Sequence, residues 1–182
     1  MSVAVAEFKS ALTQIKEHHK SGNLGSYRPM LKAGLKEEDL ENFPELKSIT
    51  KEYQGNLNSF KSEEETHING KMEVYKDSQD SGKLDAFKAA MDARKEKAKE
   101  DSAKMIDSYY DKLIQVGTDH PEQVDVILGL ADFVMGFMKD IFNKISEIVV
   151  QVVRVIVEAI EKAFEFVKNA FNSVTGAIAS LF

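Results

Sequence analysis

From Asp125 to Phe182 polar side chains recur every third or fourth position, and nearly everything between them is apolar. Written as heptads, two of the seven columns are polar: Asp140, Glu147, Arg154, Glu161 and Lys168 in one, Lys144, Gln151, Glu158, Glu165 and Asn172 in the other. The remaining five hold mostly Ile, Val, Phe and Ala. A 3–4 spacing predicts helix, and a helix with so wide an apolar arc has to be covered on most of its circumference. The arc formed by Phe133, Phe137, Ile141, Phe142, Ile145, Val149, Val152, Val153, Ile156, Ile160, Phe164, Val167 and Phe171 is a candidate membrane or oligomer face. Asp140, Lys144, Glu147, Gln151, Arg154, Glu158, Glu161, Glu165 and Lys168 form a polar seam along it.

The segment IVVQVVRVIV, residues 148–157, is β-branched and by composition suits a strand as well as a helix. Its period decides for helix, because Gln151, Arg154 and Glu158 recur at 3–4 and not at 2. Asp119-His120-Pro121-Glu122 reads as the helix start, with Asp119 as cap and Glu122 three residues on. Unbroken to residue 180 this helix would be about 90 Å long, so a bend or break is expected. Gly129 with Gly136, and Gly176, mark the candidate places.

The earlier part of the chain carries narrower stripes. Val3, Phe8, Leu12 and Ile15 define an amphipathic helix over 3–20, ended by Ser21-Gly22. Residues 21–41 hold three Gly and one Pro and read as a connector with a short helical turn near Pro29 to Leu35. A second helix starts near Asn42, with Asn42 as cap and Pro44 in the first turn, and is marked by Leu46, Ile49, Tyr53, Leu57, Phe60, Ile68, Met72 and Tyr75. After DSQDSG at 77–82 a third follows, marked by Leu84, Phe87, Met91, Ala98, Met105, Tyr109, Leu113 and Val116, ending at Gly117.

Helices two and three predict an antiparallel hairpin over about 42–117. Facing residues should have numbers summing to about 160, which pairs Tyr75 with Leu84, Ile68 with Met91 and Leu57 with Met105. The same register sets the acidic run Glu63-Glu64-Glu65 opposite Arg94-Lys95-Glu96-Lys97. Asn69-Gly70 is a competing signal for a local β-hairpin. Continuous helix is the preferred reading there, with Gly55 and Gly70 each weakening it by about 1 kcal/mol relative to Ala. The predicted fold class is all-α: an elongated helical bundle with this hairpin and an apolar C-terminal helical segment at about 120–182. A charge-rich region 1–120 and an apolar region 121–182 are expected to form one fold.

Composition narrows the functions. The net charge of −6 disfavours a nucleic-acid footprint. Residues 1–120 carry 19 basic and 22 acidic side chains and residues 121–182 carry 5 and 8, an excess of three acids in each. What changes between the two regions is therefore hydrophobicity. With no Cys, disulfides and thiolate metal sites are excluded. Glu7 and Lys9 interrupt the amino-terminal region where a secretory signal would be apolar, so synthesis in the cytosol is expected, with release and membrane association as an extension. A transmembrane helix needs about 20 predominantly apolar residues, and Lys139, Asp140, Lys144, Glu147, Arg154 and Glu158 interrupt every such window.

Catalytic and metal chemistry find little support. Adjacent His18 and His19 point about 100° apart on a helix and cannot chelate one ion together. His67 and His120 are isolated, and no HExxH, CxxC, P-loop, GxGxxG or GxSxG motif occurs. No enzyme activity, cofactor, metal or small-molecule substrate is expected. The pattern of residues 42–182, long charged helices beside an apolar helical segment, resembles the soluble form of α-helical pore-forming proteins. That resemblance implies a membrane- or lipid-interacting protein that inserts 126–182 after oligomerisation, with lipid and further copies of itself as partners. A self-assembling coiled-coil structural protein is the alternative, supported by the strict seven-residue period. A lipid carrier whose bundle opens around acyl chains is the third.

Overall fold

The computed structural model describes residues 3–21 and 37–181, and every described element is helical. The protein is an all-α helical bundle of five α-helices: α1 (Val3–Ser21), α2 (Pro44–Asp77), α3 (Lys83–Asp119), α4 (Val124–Glu158) and α5 (Ile160–Ala179). Short 3-10 turns at Glu37–Leu40 and Pro121–Gln123 precede α2 and α4. The expected helical turn near Pro29 to Leu35 lies outside the described residues.

Two compact units divide the chain, one of residues 1–55, 102–140 and 181–182, the other of residues 56–101 and 141–180. These boundaries do not follow the compositional change near residue 120, because each unit combines charge-rich and apolar helix. Amphipathic helices bury their stripes against one another and against the apolar segment that follows, so each unit draws on both regions.

In the first unit α1 lies antiparallel to α3. Thr13 Oγ1 meets the Tyr110 hydroxyl at 2.9 Å, and Lys20 Nζ donates to both Asp107 carboxylate oxygens at 2.9 Å. Phe8, Leu12 and Ile15 of α1 are buried at the spacing that the sequence stripe requires. Phe8 lies so close to Gly117 that a Cβ there would sit 2.4 Å from its ring carbons. Gly117 thus serves close packing inside α3 and does not end the helix, which continues two residues to Asp119.

The α2–α3 pairing follows the expected register in both units. In the first, Tyr53 and Tyr109 stack edge to face at 4.8 Å, Thr50 Oγ1 reaches the Tyr109 hydroxyl at 3.3 Å, and Lys112 Nζ donates to Glu52 at 2.6 Å. In the second, Tyr75 meets Phe87 at 5.7 Å and Glu64 pairs with Arg94. Helix α2 passes through Asn69-Gly70 without a strand, since continuing the stripe from Ile68 to Met72 keeps both side chains fully buried. Its first residue is Pro44, so the capping position is Phe43, one residue beyond Asn42. The Phe43 carbonyl accepts from Lys47 N at 3.0 Å.

The long apolar helix breaks, though not at a glycine. Helix α4 runs through Gly129 and Gly136 and stops at Glu158, and α5 runs through Gly176. Between them Ala159 alone is extended, with φ −165° and ψ 135°, and no side chain caps the α5 start. Helical hydrogen bonding reaches the break from both sides, from Ala159 N to Val155 O at 3.2 Å and from Ala163 N to Ala159 O at 3.1 Å. All of the buried α5 positions from Ala163 to Ile178 belong to the second unit together with residues 141–158 of α4. A straight continuation would carry them away from that unit, so α5 folds back.

Candidate membrane and assembly surface

All nine residues of the polar seam, Asp140, Lys144, Glu147, Gln151, Arg154, Glu158, Glu161, Glu165 and Lys168, are exposed. Of the apolar face, Ile141, Phe142, Ile145, Val149, Val152, Ile156, Val167 and Phe171 are buried. Val153, Ile160 and Phe164 in the second unit, and Phe133 and Phe137 in the first, are half-buried. The sequence stripe therefore corresponds to a real division into a covered face and a wet one. Within the second unit the covering includes α2, whose Phe60 ring meets Phe142 edge to face at 5.0 Å.

The covered arc is not the same on the two sides of Ala159. In α4 the columns holding Ile141 and Ile148, Phe142 and Val149, and Ile145 and Val152 are buried. In α5 the buried columns hold Ala163, Val167 with Val174, and Phe171 with Ile178. Where α5 faces water the apolar columns turn polar or small, to Lys162, Asn169, Ser173 and Gly176. In α4 they do not, and Val150 and Val157 remain 41 % and 58 % exposed. Heptad counting treats both helices alike and could not separate them. The signal that could is the replacement of Ile and Val by Lys, Asn and Ser after residue 159.

The unit also holds a charge pair inside its covered region. Glu64 is fully buried, at the core spacing set by Phe60 and Ile68. Arg94 Nε donates to Oε2 at 2.9 Å, and Nη2 lies 2.6 Å from Oε1 as an ionic contact. Burial pushes the Glu64 carboxyl above its ordinary value, Arg94 opposes the rise, and Asp101 and Glu63 add to it. Nearby His67 is held below its ordinary value, first by burial and then by the positive charges of Arg94 and Lys71.

Histidines elsewhere have structural roles. His19 Nε2 lies 2.8 Å from Asp132 Oδ1, and the His19 ring packs where a Cβ on Gly136 would come within 3.1 Å. His18 stacks edge to face on His19 at 4.8 Å. Among the described residues there is no group of three or more His, Asp or Glu side chains arranged to hold a metal ion. No helix among the described residues is long and apolar enough to cross a membrane. Comparison with protein-family models, curated proteins and solved structures finds no match to this chain.

Proposed function

We propose that this chain is a membrane- or lipid-interacting helical protein whose working element is the α4–α5 pair. The observation that carries the reading is the sorting of one sequence pattern into two faces. The whole seam is wet, while Ile145, Val149, Val152, Ile156, Val167 and Phe171 are sealed inside the unit. Such a pair can exchange one apolar environment for another, because its apolar face is satisfied equally by the charged helices and by acyl chains. Apolar burial at about 25 cal/mol per Å² drives both states.

The seam constrains the bound state. Its charged groups have to face water or protein within a bilayer. An oligomer in which seams from several copies line an aqueous lumen meets that requirement. The seam carries three basic and five acidic side chains, so attraction to anionic lipid is weak and binding rests on burial.

Flotation and dye release test this reading. Full-length protein is expected to float with phosphatidylcholine vesicles, with or without phosphatidylserine, and to release trapped dye. Val153→Asp or Ile156→Asp is expected to abolish both, with circular dichroism verifying that the variant remains helical. A protein that neither floats nor releases dye from either vesicle removes the reading.

A further inference from the structure

We propose that α4 is a self-association surface, on which a second copy of this chain packs its own α4 antiparallel about a two-fold axis midway between Val150 and Gln151. This goes beyond the membrane reading and concerns the protein in the absence of lipid. The argument begins with the excess of apolar surface on this one helix. Ser146, Val150, Val153 and Val157 recur at intervals of four, three and four, the spacing of a coiled-coil seam. Val150 and Val157 are exposed, Ser146 and Val153 half-buried, and the buried columns of the same helix lie to one side of them. Helix α4 thus has a second apolar stripe, beside the one its own unit covers. Helix α5, in the same unit, carries polar and small residues where it is open, so Val150 and Val157 are a departure within one pattern.

Charge selects the occupant and its direction. Glu147 and Arg154 flank the stripe on the same edge, seven residues apart, and both are exposed. Neither has an ion-pair partner among the described residues. In an antiparallel pair this edge meets the same edge of the other copy. The two-fold axis then sets Glu147 of each copy across from the partner's Arg154, giving two equivalent ion pairs around a central contact of Val150 with Val150 of the other copy. A parallel pair would set this edge against the column of Val149 and Ile156, which is already buried in its own unit. A self-complementary patch of this kind is what two-fold association requires. An open groove between Lys95 of α3 and Ser146, Glu147, Val150 and Arg154 of α4 runs along the stripe and leaves room for the approaching helix.

The stripe from Asn143 to Val157 is about 22 Å long at 1.5 Å per residue. A single helix contact of that length buries less than the roughly 800 Å² per partner of a standard interface. A weak dimer, with Kd on the order of micromolar, is therefore expected.

Sedimentation velocity of the full chain without lipid, over a wide concentration range, tests the assignment. Wild type should pass from monomer to dimer. Glu147→Arg and Arg154→Glu should each weaken the dimer about tenfold or more, because both ion pairs become repulsive. Mixing the two variants should restore association, and so should the double change Glu147→Arg with Arg154→Glu. Both side chains are exposed, so the monomer fold survives each change and circular dichroism verifies it. Monomer at every concentration, a dimer indifferent to both single changes, or failure of the double variant to recover would each overturn the assignment. Flotation remains a separate measurement, so the membrane reading stands or falls on its own.

Discussion

The α2–α3 hairpin and the α4–α5 pair are held by different kinds of contact. Between α2 and α3 the contacts include directional ones: Glu64 with Arg94, Glu52 with Lys112, Thr50 with Tyr109 and Tyr53 with Ser108. Each is satisfied in one register. Within α4–α5 the buried side chains are apolar, Ile, Val, Leu, Met, Ala and Phe, and the Lys162 to Glu158 contact is exposed and 3.8 Å long. Apolar contacts supply energy without fixing alignment closely, whereas polar ones fix alignment and add less energy. On the proposed membrane reading, the first pair is the scaffold and the second the part released from it.

The largest expected effect tests the apolar side of this contrast. Phe171 is fully buried, and Phe171→Ala should destabilise the protein by about 3–5 kcal/mol in urea denaturation. Lys112→Ala, which removes an exposed pair from α2–α3, should cost under about 1 kcal/mol. A small loss at Phe171 would mean that α5 contributes little burial energy, and the contrast would collapse.

Arg94→Ala tests the polar side. Removing one partner of a buried ion pair costs about 3–5 kcal/mol. The Arg94 side chain keeps 15 % of its exposure while Glu64 keeps none, which places the expected loss near the lower end. Arg94→Lys should fall between, since an ammonium keeps the charge but not the two-point contact. Equal stability of wild type and Arg94→Ala would mean that Glu64 finds no benefit from its partner.

The register of α2–α3 is legible in the sequence because two long stripes and two opposed charge runs agree on one alignment. Burial of Glu64 was less so. Its signal lay in its position, a charge in the core column between Phe60 and Ile68, and its place in the middle of the acidic run Glu63-Glu64-Glu65 disguised it. Four helical segments had visible stripes, and the nine-residue polar seam turned out wet throughout. The break at Ala159 had no local signal, because Ala is the strongest helix former and glutamates flank it closely. Folding back is imposed from a distance, by the gain from burying Val167, Phe171, Val174 and Ile178. Glycines misled for the same reason: Gly117 and Gly136 serve neighbouring rings rather than helix ends.

Glycine also provides the next smaller test. At Gly70 a Cβ would meet nothing within 4 Å, and the residue lies inside α2. Gly70→Ala should therefore raise stability by about 1 kcal/mol, through helix propensity alone. Gly117→Ala should do the opposite, since its Cβ collides with Phe8. Both signs are read from urea midpoints, and a stabilising Gly117→Ala would contradict the packing of α1 on α3.

The finest test is one of pH, and it separates two groups within the second unit. The folded-state pKa of Glu64 is raised above its ordinary 4.5, chiefly by burial. Its contribution to stability is thus fully present below the unfolded value and is lost as pH rises through the folded one. His67 runs the other way. Its folded-state pKa lies below the ordinary 6.5 because of burial and the charges of Arg94 and Lys71. Its contribution is present above the unfolded value and is lost as pH falls through the folded one. On acidification from neutral pH, wild type should gain stability relative to Glu64→Gln and lose it relative to His67→Gln. Urea midpoints of the three proteins at neutral and mildly acidic pH read both differences. If the Glu64→Gln gap stays constant, the carboxylate does not feel its burial, and the polar contacts of α2–α3 reduce to surface pairs that align the hairpin without straining it.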